Sequence, residues 1–159
     1  MSVLTLVPKR WWSQRNFIIS NGSKDIAGIT LSGWRGWREK GVLTVEGVDH
    51  HAYRQVYGDG AMSGDFVVER DGVELARAAK PSGFRNAFVL EYERKRYPLR
   101  RKIWTRRLVL LDGDQVLGTI APQGLWSRRL TVTLPDNWPL PVKVFVAWLA
   151  LILRTRDGE

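Results

Sequence analysis

Apolar residues in this chain come in short runs, and the runs alternate with polar positions in the way half-buried strands do. Three runs lead into a turn dipeptide: Phe17-Ile18-Ile19-Ser20 before Asn21-Gly22, Phe66-Val67-Val68-Glu69 before Asp71-Gly72, and Leu108-Val109-Leu110-Leu111 before Asp112-Gly113. Asn-Gly and Asp-Gly supply the positive φ angles of two-residue hairpin turns, so each dipeptide predicts a hairpin. The return strands are expected at Asp25 to Leu31, Val73 to Ala79 and Gln115 to Ala121. Small residues recur within them (Ala27 and Gly28, Ala76, Gly118), where a close backbone approach or a bulge would let a sheet curve. Eleven residues after each turn glycine stands another, at Gly33, Gly83 and Gly124, each followed by a large apolar residue.

A third strand is expected in each unit, at Val42 to Glu46, Phe88 to Tyr92 and Leu130 to Leu134. The first two units add a fourth, around Ala52 to Tyr57 and Tyr97 to Trp104. With an N-terminal strand near Val3 to Val7, the total is about twelve strands. A repeated unit too small to bury its own face predicts closure about one shared core. The expected fold class is mainly β: a closed antiparallel barrel in a single domain spanning 1–159.

The pattern changes after Trp138-Pro139-Leu140-Pro141. Proline ends the sheet because it cannot donate to a ladder, and Pro141 suits the first turn of a helix. From Val142 to Leu153 every residue except Lys143 is apolar, and Arg154 and Arg156 follow at the pole where cations favour the helix dipole. A membrane span needs about 20 apolar residues, more than this run supplies. A helix apolar on all sides must otherwise be surrounded by protein. A barrel of about twelve strands has a lumen that its own wall cannot fill, and a helix about 10 Å across plugs it. A central core helix at about 141–155 is therefore expected.

Composition narrows the class without naming a reaction. The chain has 159 residues, 25 lysines and arginines against 16 acidic residues, a formal charge of +9, eight tryptophans and no cysteine. The missing thiol excludes disulfide scaffolds, thiolate metal sites and cysteine nucleophiles, and suits a reducing compartment. The start, Met1 to Arg10, has too short an apolar stretch for a signal peptide, so a cytoplasmic location, peripheral to a membrane if lipid is bound, is the expectation. The positive surplus attracts anionic lipid, nucleic acid or acidic protein.

The repeated units, the "LLDGDQVLGTI" hairpin within Leu108 to Leu134, and the closing apolar helix at Val142 to Leu153 together resemble the tubby C-terminal-like superfamily. That superfamily includes tubby proteins, phospholipid scramblases and LURP-one-related proteins. The resemblance implies a twelve-stranded barrel around a central C-terminal helix. The chain looks most like the small stand-alone microbial members. The scramblases of this group carry a cysteine-rich palmitoylated segment and an acidic stretch near the helix, and this chain has neither, which speaks against calcium-dependent scrambling. Tubby proteins bind phosphoinositides through basic residues on the barrel exterior; no such site is carried over residue by residue.

The densest charge runs from Arg94 to Arg107. Strand parity sorts it: Tyr97, Leu99 and Ile103 would face the core, while Arg94, Arg96, Arg100, Lys102 and Arg106 would line the outside. Such a stripe matches anionic headgroups or phosphates, and equally suits a solvated face that discourages sheet association. Arg101 breaks the inward parity and marks a bulge or a strand end. Tryptophan and arginine also lie side by side at Arg10 to Trp12, Trp34 to Arg38 and Trp126 to Arg129, where cation–π packing at a barrel rim or an interface would place them. Asp49-His50-His51 lacks a further ligand for a metal, and Asp112-Gly113-Asp114 is better read as a turn than as a calcium loop. No catalytic residue, metal ligand or cofactor is assigned. Three functions stay open: a non-enzymatic binding or scaffold domain engaging anionic phospholipid or an acidic partner through its basic exterior; a carrier or enzyme with an apolar cavity beside the helix; and nucleic-acid binding. Oligomeric state is not set by the sequence.

Overall fold

The computed structural model describes residues 2–10, 15–32, 40–55, 65–80, 87–102, 105–124 and 127–157. Twelve strands run in chain order: β1 (Ser2–Pro8), β2 (Asn16–Ser20), β3 (Asp25–Ser32), β4 (Lys40–Val45), β5 (Val48–Arg54), β6 (Phe66–Arg70), β7 (Val73–Ala79), β8 (Ala87–Tyr92), β9 (Lys95–Arg101), β10 (Leu108–Asp112), β11 (Gln115–Pro122) and β12 (Leu130–Leu134). Each pairs antiparallel with its neighbours, and β1 closes the barrel against β12, with Leu4 opposite Val132. The third unit has no fourth strand after β12. The N-terminal β1 takes that place, so each third of the wall has four strands.

The small residues mark bulges. The register slips between Ile19 and Ser20, between Val68 and Glu69, and between Leu110 and Leu111. In each case one residue of the return strand, Ile26, Leu75 or Leu117, has no partner opposite it and packs against the core. The next residue in each is small: Ala27, Ala76, Gly118. At Gly118 the need is severe, since a Cβ there would lie 2.6 Å from the Thr133 carbonyl oxygen. Three bulges at equivalent places bend the wall into a tube, because a bulge adds local twist and curvature.

Two of the three turns differ from the expected dipeptides. Asn21-Gly22 opens a four-residue loop, because the Asn21 side-chain oxygen accepts from the Ser23 and Lys24 amides, both at 3.0 Å, and the ladder resumes only at Ser20 and Asp25. In the third unit Asp112 still pairs with Gln115, so the turn is Gly113-Asp114, with Gly113 at φ 59° in the first central position. Asp71-Gly72 is as expected, with φ 50° and 79°. Two further tight turns, Glu46-Gly47 and Glu93-Arg94, also sit at positive φ. They start the fourth strands upstream of the expected Ala52 and Tyr97, and those strands end at Arg54 and Arg101. Tyr57, Ile103 and Trp104 lie outside the described residues, as do Gly33 and Gly83.

Helix α1 (Leu140–Asp157) runs through the lumen, buried at every residue from Val142 to Leu153. Its first bonds close on the Pro139 carbonyl, 3.1 Å from the Val142 amide. Trp148 packs edge-on against Phe66 at 5.8 Å and stacks with Phe145 at 5.7 Å. Its indole lies against Gly41 of β4, where a Cβ would come within 2.8 Å of Nε1. Lys143 is buried but not stranded, since its ammonium donates to the Ser2 hydroxyl at 3.1 Å, and that hydroxyl donates to Asp136. Trp138 seals the entry end between Tyr92 and Tyr97, at 5.3 and 5.1 Å. Among the described residues no helix is long and apolar enough to cross a membrane.

In such an up-and-down barrel, successive connections alternate between the two ends. The tight turns β2–β3, β4–β5, β6–β7, β8–β9 and β10–β11 share the end where α1 enters. The longer connections share the end where α1 finishes.

Candidate functional site: a basic cleft at the long-connection end

Local sequence decides where β9 stops. Tyr97 and Leu99 point into the core and Arg100 points out, as parity requires. Arg101 would be the next inward residue, but the strand ends there, at the rim, and Arg101 is only half-buried. The chain then folds back on itself. The Lys102 amide donates to the Arg107 carbonyl at 2.9 Å, and the Thr105 hydroxyl donates to the Lys102 carbonyl at 3.1 Å. The Arg107 amide in turn donates to that hydroxyl at 3.3 Å.

A second connection faces this one across the rim. The Gln123 amide donates to the Arg129 carbonyl at 3.0 Å, and the Arg129 amide to the Ser127 hydroxyl at 3.1 Å. The last turn of α1 joins it, because the Arg154 guanidinium donates to the Ser127 carbonyl at 3.4 Å. Between the two connections lies an open cleft of about 860 Å³. Arg101, Lys102, Thr105, Arg106 and Arg107 form one wall, and Ala121, Pro122 and Gly124 form the other side.

Positive charges gather near the end of α1. Burial pushes the Arg154 guanidinium below its ordinary value, and the charges of Arg106, Arg128 and Arg101 push it further down. A guanidinium nonetheless stays charged at neutral pH. Arg101, Arg106 and Arg128 thus each act on Arg154 in the last turn of α1. An anion in the cleft would meet Arg101, Lys102, Arg106 and Arg107, and a planar guanidinium fork suits phosphate or carboxylate oxygens.

The expected stripe is divided between the two ends. Lys102 and Arg106 line the cleft, and Arg100 stands exposed on the outer wall just before it. Arg94 belongs to the Glu93-Arg94 turn at the opposite end, about 20 Å from Arg100 along the strand. Arg96 is 3.4 Å from Glu91 on β8, in a cross-strand ion pair. Sequence reasoning did not place Arg101, Arg107, Arg128 and Arg154 in a site. In the sequence Arg128 stands out only beside Trp126, and Arg154 only as a partner of the helix dipole. Trp11, Trp12, Trp34, Trp37 and Trp126 lie outside the described residues.

The remaining chemistry behaves as structure. His50 is buried with Nδ1 3.1 Å from the Val48 carbonyl, while His51 is exposed on the other face of β5. Asp49 is exposed and accepts from the Thr44 hydroxyl at 2.8 Å, so the three side chains do not converge on one ion. No group of three metal-ligating side chains forms among the described residues. Asp112 and Asp114 are exposed around a tight turn. Beside the helix, the lumen is filled by Phe66, Phe88, Phe145 and Trp148 with surrounding leucines and isoleucines.

Comparison with protein families, with curated proteins and with solved structures found no match.

Proposed function

We propose that this chain is a non-catalytic binding domain of the tubby-like kind that engages phosphate-bearing anions at the basic end of its barrel. Support for the kinship is architectural: twelve antiparallel strands around an apolar C-terminal helix. The observation that carries the binding reading is the open cleft itself, lined by Arg101, Lys102, Arg106 and Arg107 and by no acidic residue among those described. The basic wall also carries Lys102 and Arg107, two exposed cations free to turn toward a ligand.

The test is a thermal-unfolding titration with inorganic tripolyphosphate against sodium chloride at equal ionic strength. A ligand that binds only the folded state stabilises it by about 2.7 kcal/mol at a hundred times its Kd. Tripolyphosphate should raise the midpoint of the wild type. The double variant Lys102→Glu, Arg106→Glu should unfold as cooperatively but lose the rise, whereas Arg94→Glu, Arg96→Glu should keep it. Equal midpoints in the two salts for the wild type would mean that the cleft is only a solvated rim.

A further inference from the structure

The three units differ at one outward position of the wall. Gly28 of β3 lies opposite Ile18, at the place where Arg77 stands opposite Val67 in the second unit and Thr119 opposite Val109 in the third. Val67 and Val109 lie outside the core cluster and are nonetheless buried, the first beside Arg77, which Asp65 holds at 2.9 Å. Ile18 has only glycine opposite it in β3 and is half-buried. Nothing inside the molecule demands that glycine. A Cβ there would meet only the Phe17 carbonyl oxygen at 3.6 Å, an ordinary contact, whereas one at Gly118 would lie 2.6 Å from a carbonyl oxygen. Glycine within a strand weakens it, and it often marks a site where a ligand or another backbone comes close.

The missing side chain opens a furrow of about 460 Å³ along the outside of β3. Gly28 is its floor, with Ile18 of β2 on one side and Thr44 of β4 on the other, all three in one row across the wall. Asn16 and Thr30 form the next row. The two ends differ in charge. Lys9 stands at the Asn16 end, its amide bonded to the Asn16 carbonyl at 2.8 Å. Asp25 and Glu46 stand at the other, where the Glu46 amide donates to the Ile26 carbonyl at 3.4 Å. These three side chains are exposed, and none has an ion-pair partner among the described residues.

We propose that this furrow binds an extended peptide segment of a partner protein, basic where it meets Asp25 and Glu46, acidic where it meets Lys9, and small and apolar over Gly28. The furrow shares no residue with the basic cleft, so this binding is independent of the anion-binding reading. Width selects an extended chain. The side-chain rows of β2 and β4 are two strand spacings apart, about 10 Å, which admits one extended chain and excludes a helix about 10–12 Å across. Asp25 to Thr30 covers about 17 Å at about 3.3 Å per residue, the span of about five extended residues. The barrel has no free edge, so the segment cannot join the sheet and is held by its side chains and its charged ends. A nucleic-acid backbone or an anionic headgroup would meet two carboxylates here, and like charge turns both away.

The test is an amide proton–nitrogen correlation spectrum of the full chain, titrated with the peptide Lys-Val-Ala-Val-Glu, free at both termini. Its amino end is doubly positive and its carboxyl end doubly negative. Glu-Val-Ala-Val-Lys has the same composition without that separation of charge. The first peptide should shift the amides of Ile18, Gly28, Thr30 and Thr44 and bind at least about tenfold tighter than the second. Gly28→Thr supplies the side chain that the third unit has at this place, leaves the fold intact because a Cβ fits, and should weaken binding by about tenfold. Asp25→Lys, Glu46→Lys should weaken it by at least as much while the spectrum stays dispersed. No shift, shifts confined to other amides, equal affinity for the two peptides, or undiminished binding by either variant would overturn the proposal. Shifts of the same amides on concentrating the protein alone would overturn it in favour of a second copy as the occupant.

Discussion

Leu149 lies at the middle of α1, fully buried, with Phe145, Val146, Ile152 and Leu153 as its neighbours three and four residues away. Along the helix the nearest cations are Lys143, six residues before it, and Arg154, five after. Leu149→Glu therefore places a carboxylate within the hydrophobic core. The inexpensive response is to stay protonated. Holding a glutamate of ordinary pKa about 4.3 neutral costs about 3.7 kcal/mol at pH 7 and about 1 kcal/mol at pH 5, at 1.36 kcal/mol per unit. Leu149→Gln has the same shape without the charge, and isolates the loss of apolar packing, about 3 kcal/mol. The sign follows from linkage. Burial raises the folded-state pKa, so between about 4.3 and that raised value the folded state holds the proton that the unfolded state releases, and stability falls as pH rises. Urea unfolding of both variants at pH 5 and pH 7 should show the glutamate variant losing about 2.7 kcal/mol more than the glutamine variant across that interval. That is a large share of a typical domain stability of about 5–15 kcal/mol. If the two variants track each other with pH, residue 149 reaches water and the helix does not fill the lumen.

Two further outcomes test the wall and its closure. Gly118→Ala should lower stability by about 1–3 kcal/mol, because the new methyl meets the Thr133 carbonyl at 2.6 Å and Leu134 Cδ2 at 2.8 Å, and a ladder carbonyl cannot step aside. Gly28→Ala, whose methyl would sit 3.6 Å from the Phe17 carbonyl, is the control and should be near neutral; equal losses in calorimetry would refute the close-approach account. The Ser2 hydroxyl, followed by the terminal ammonium and then the Lys143 charge, holds the Asp136 carboxyl below its ordinary value of 3.8. The stability this contributes is present above that value and is lost as pH falls through the lower folded one, so Asp136→Asn should flatten the acid limb of a pH–stability curve below about pH 4. An unchanged limb in urea titrations would show that the β1–α1 contact carries no such linkage.

Much of the wall was legible because the signals that define strands are local. Alternation along Leu130 to Leu134 and the φ > 0 preference of Asp71-Gly72 depend only on neighbouring residues, and both appear where they were expected. The bulges were half-legible: Ala27, Ala76 and Gly118 marked the places, while the residues turned inward, Ile26, Leu75 and Leu117, were set by the pairing of two strands. The turn at Gly113-Asp114 moved by one residue for the same reason, since the partner strand decides where a ladder ends. Glu93-Arg94 carried no glycine to announce it.

The candidate site shows the limit more sharply. Parity along β9 correctly turned Tyr97 and Leu99 inward and Arg96 and Arg100 outward, because a strand alternates its side chains whatever surrounds it. It also joined Arg94 to Arg106 in one stripe, since a linear pattern has no ends. Tertiary structure cut that stripe at the rim, left Arg94 and Arg96 at the tight-turn end with Arg96 paired to Glu91, and brought Arg101, Arg106 and Arg128 near Arg154 at the other end. The amino-acid order alone determined twelve strands, a core helix and an excess of positive charge. Which charges act together was decided by the closure of β1 on β12 and by the direction in which α1 threads the lumen, because electrostatic energy depends on separation through space and not along the chain.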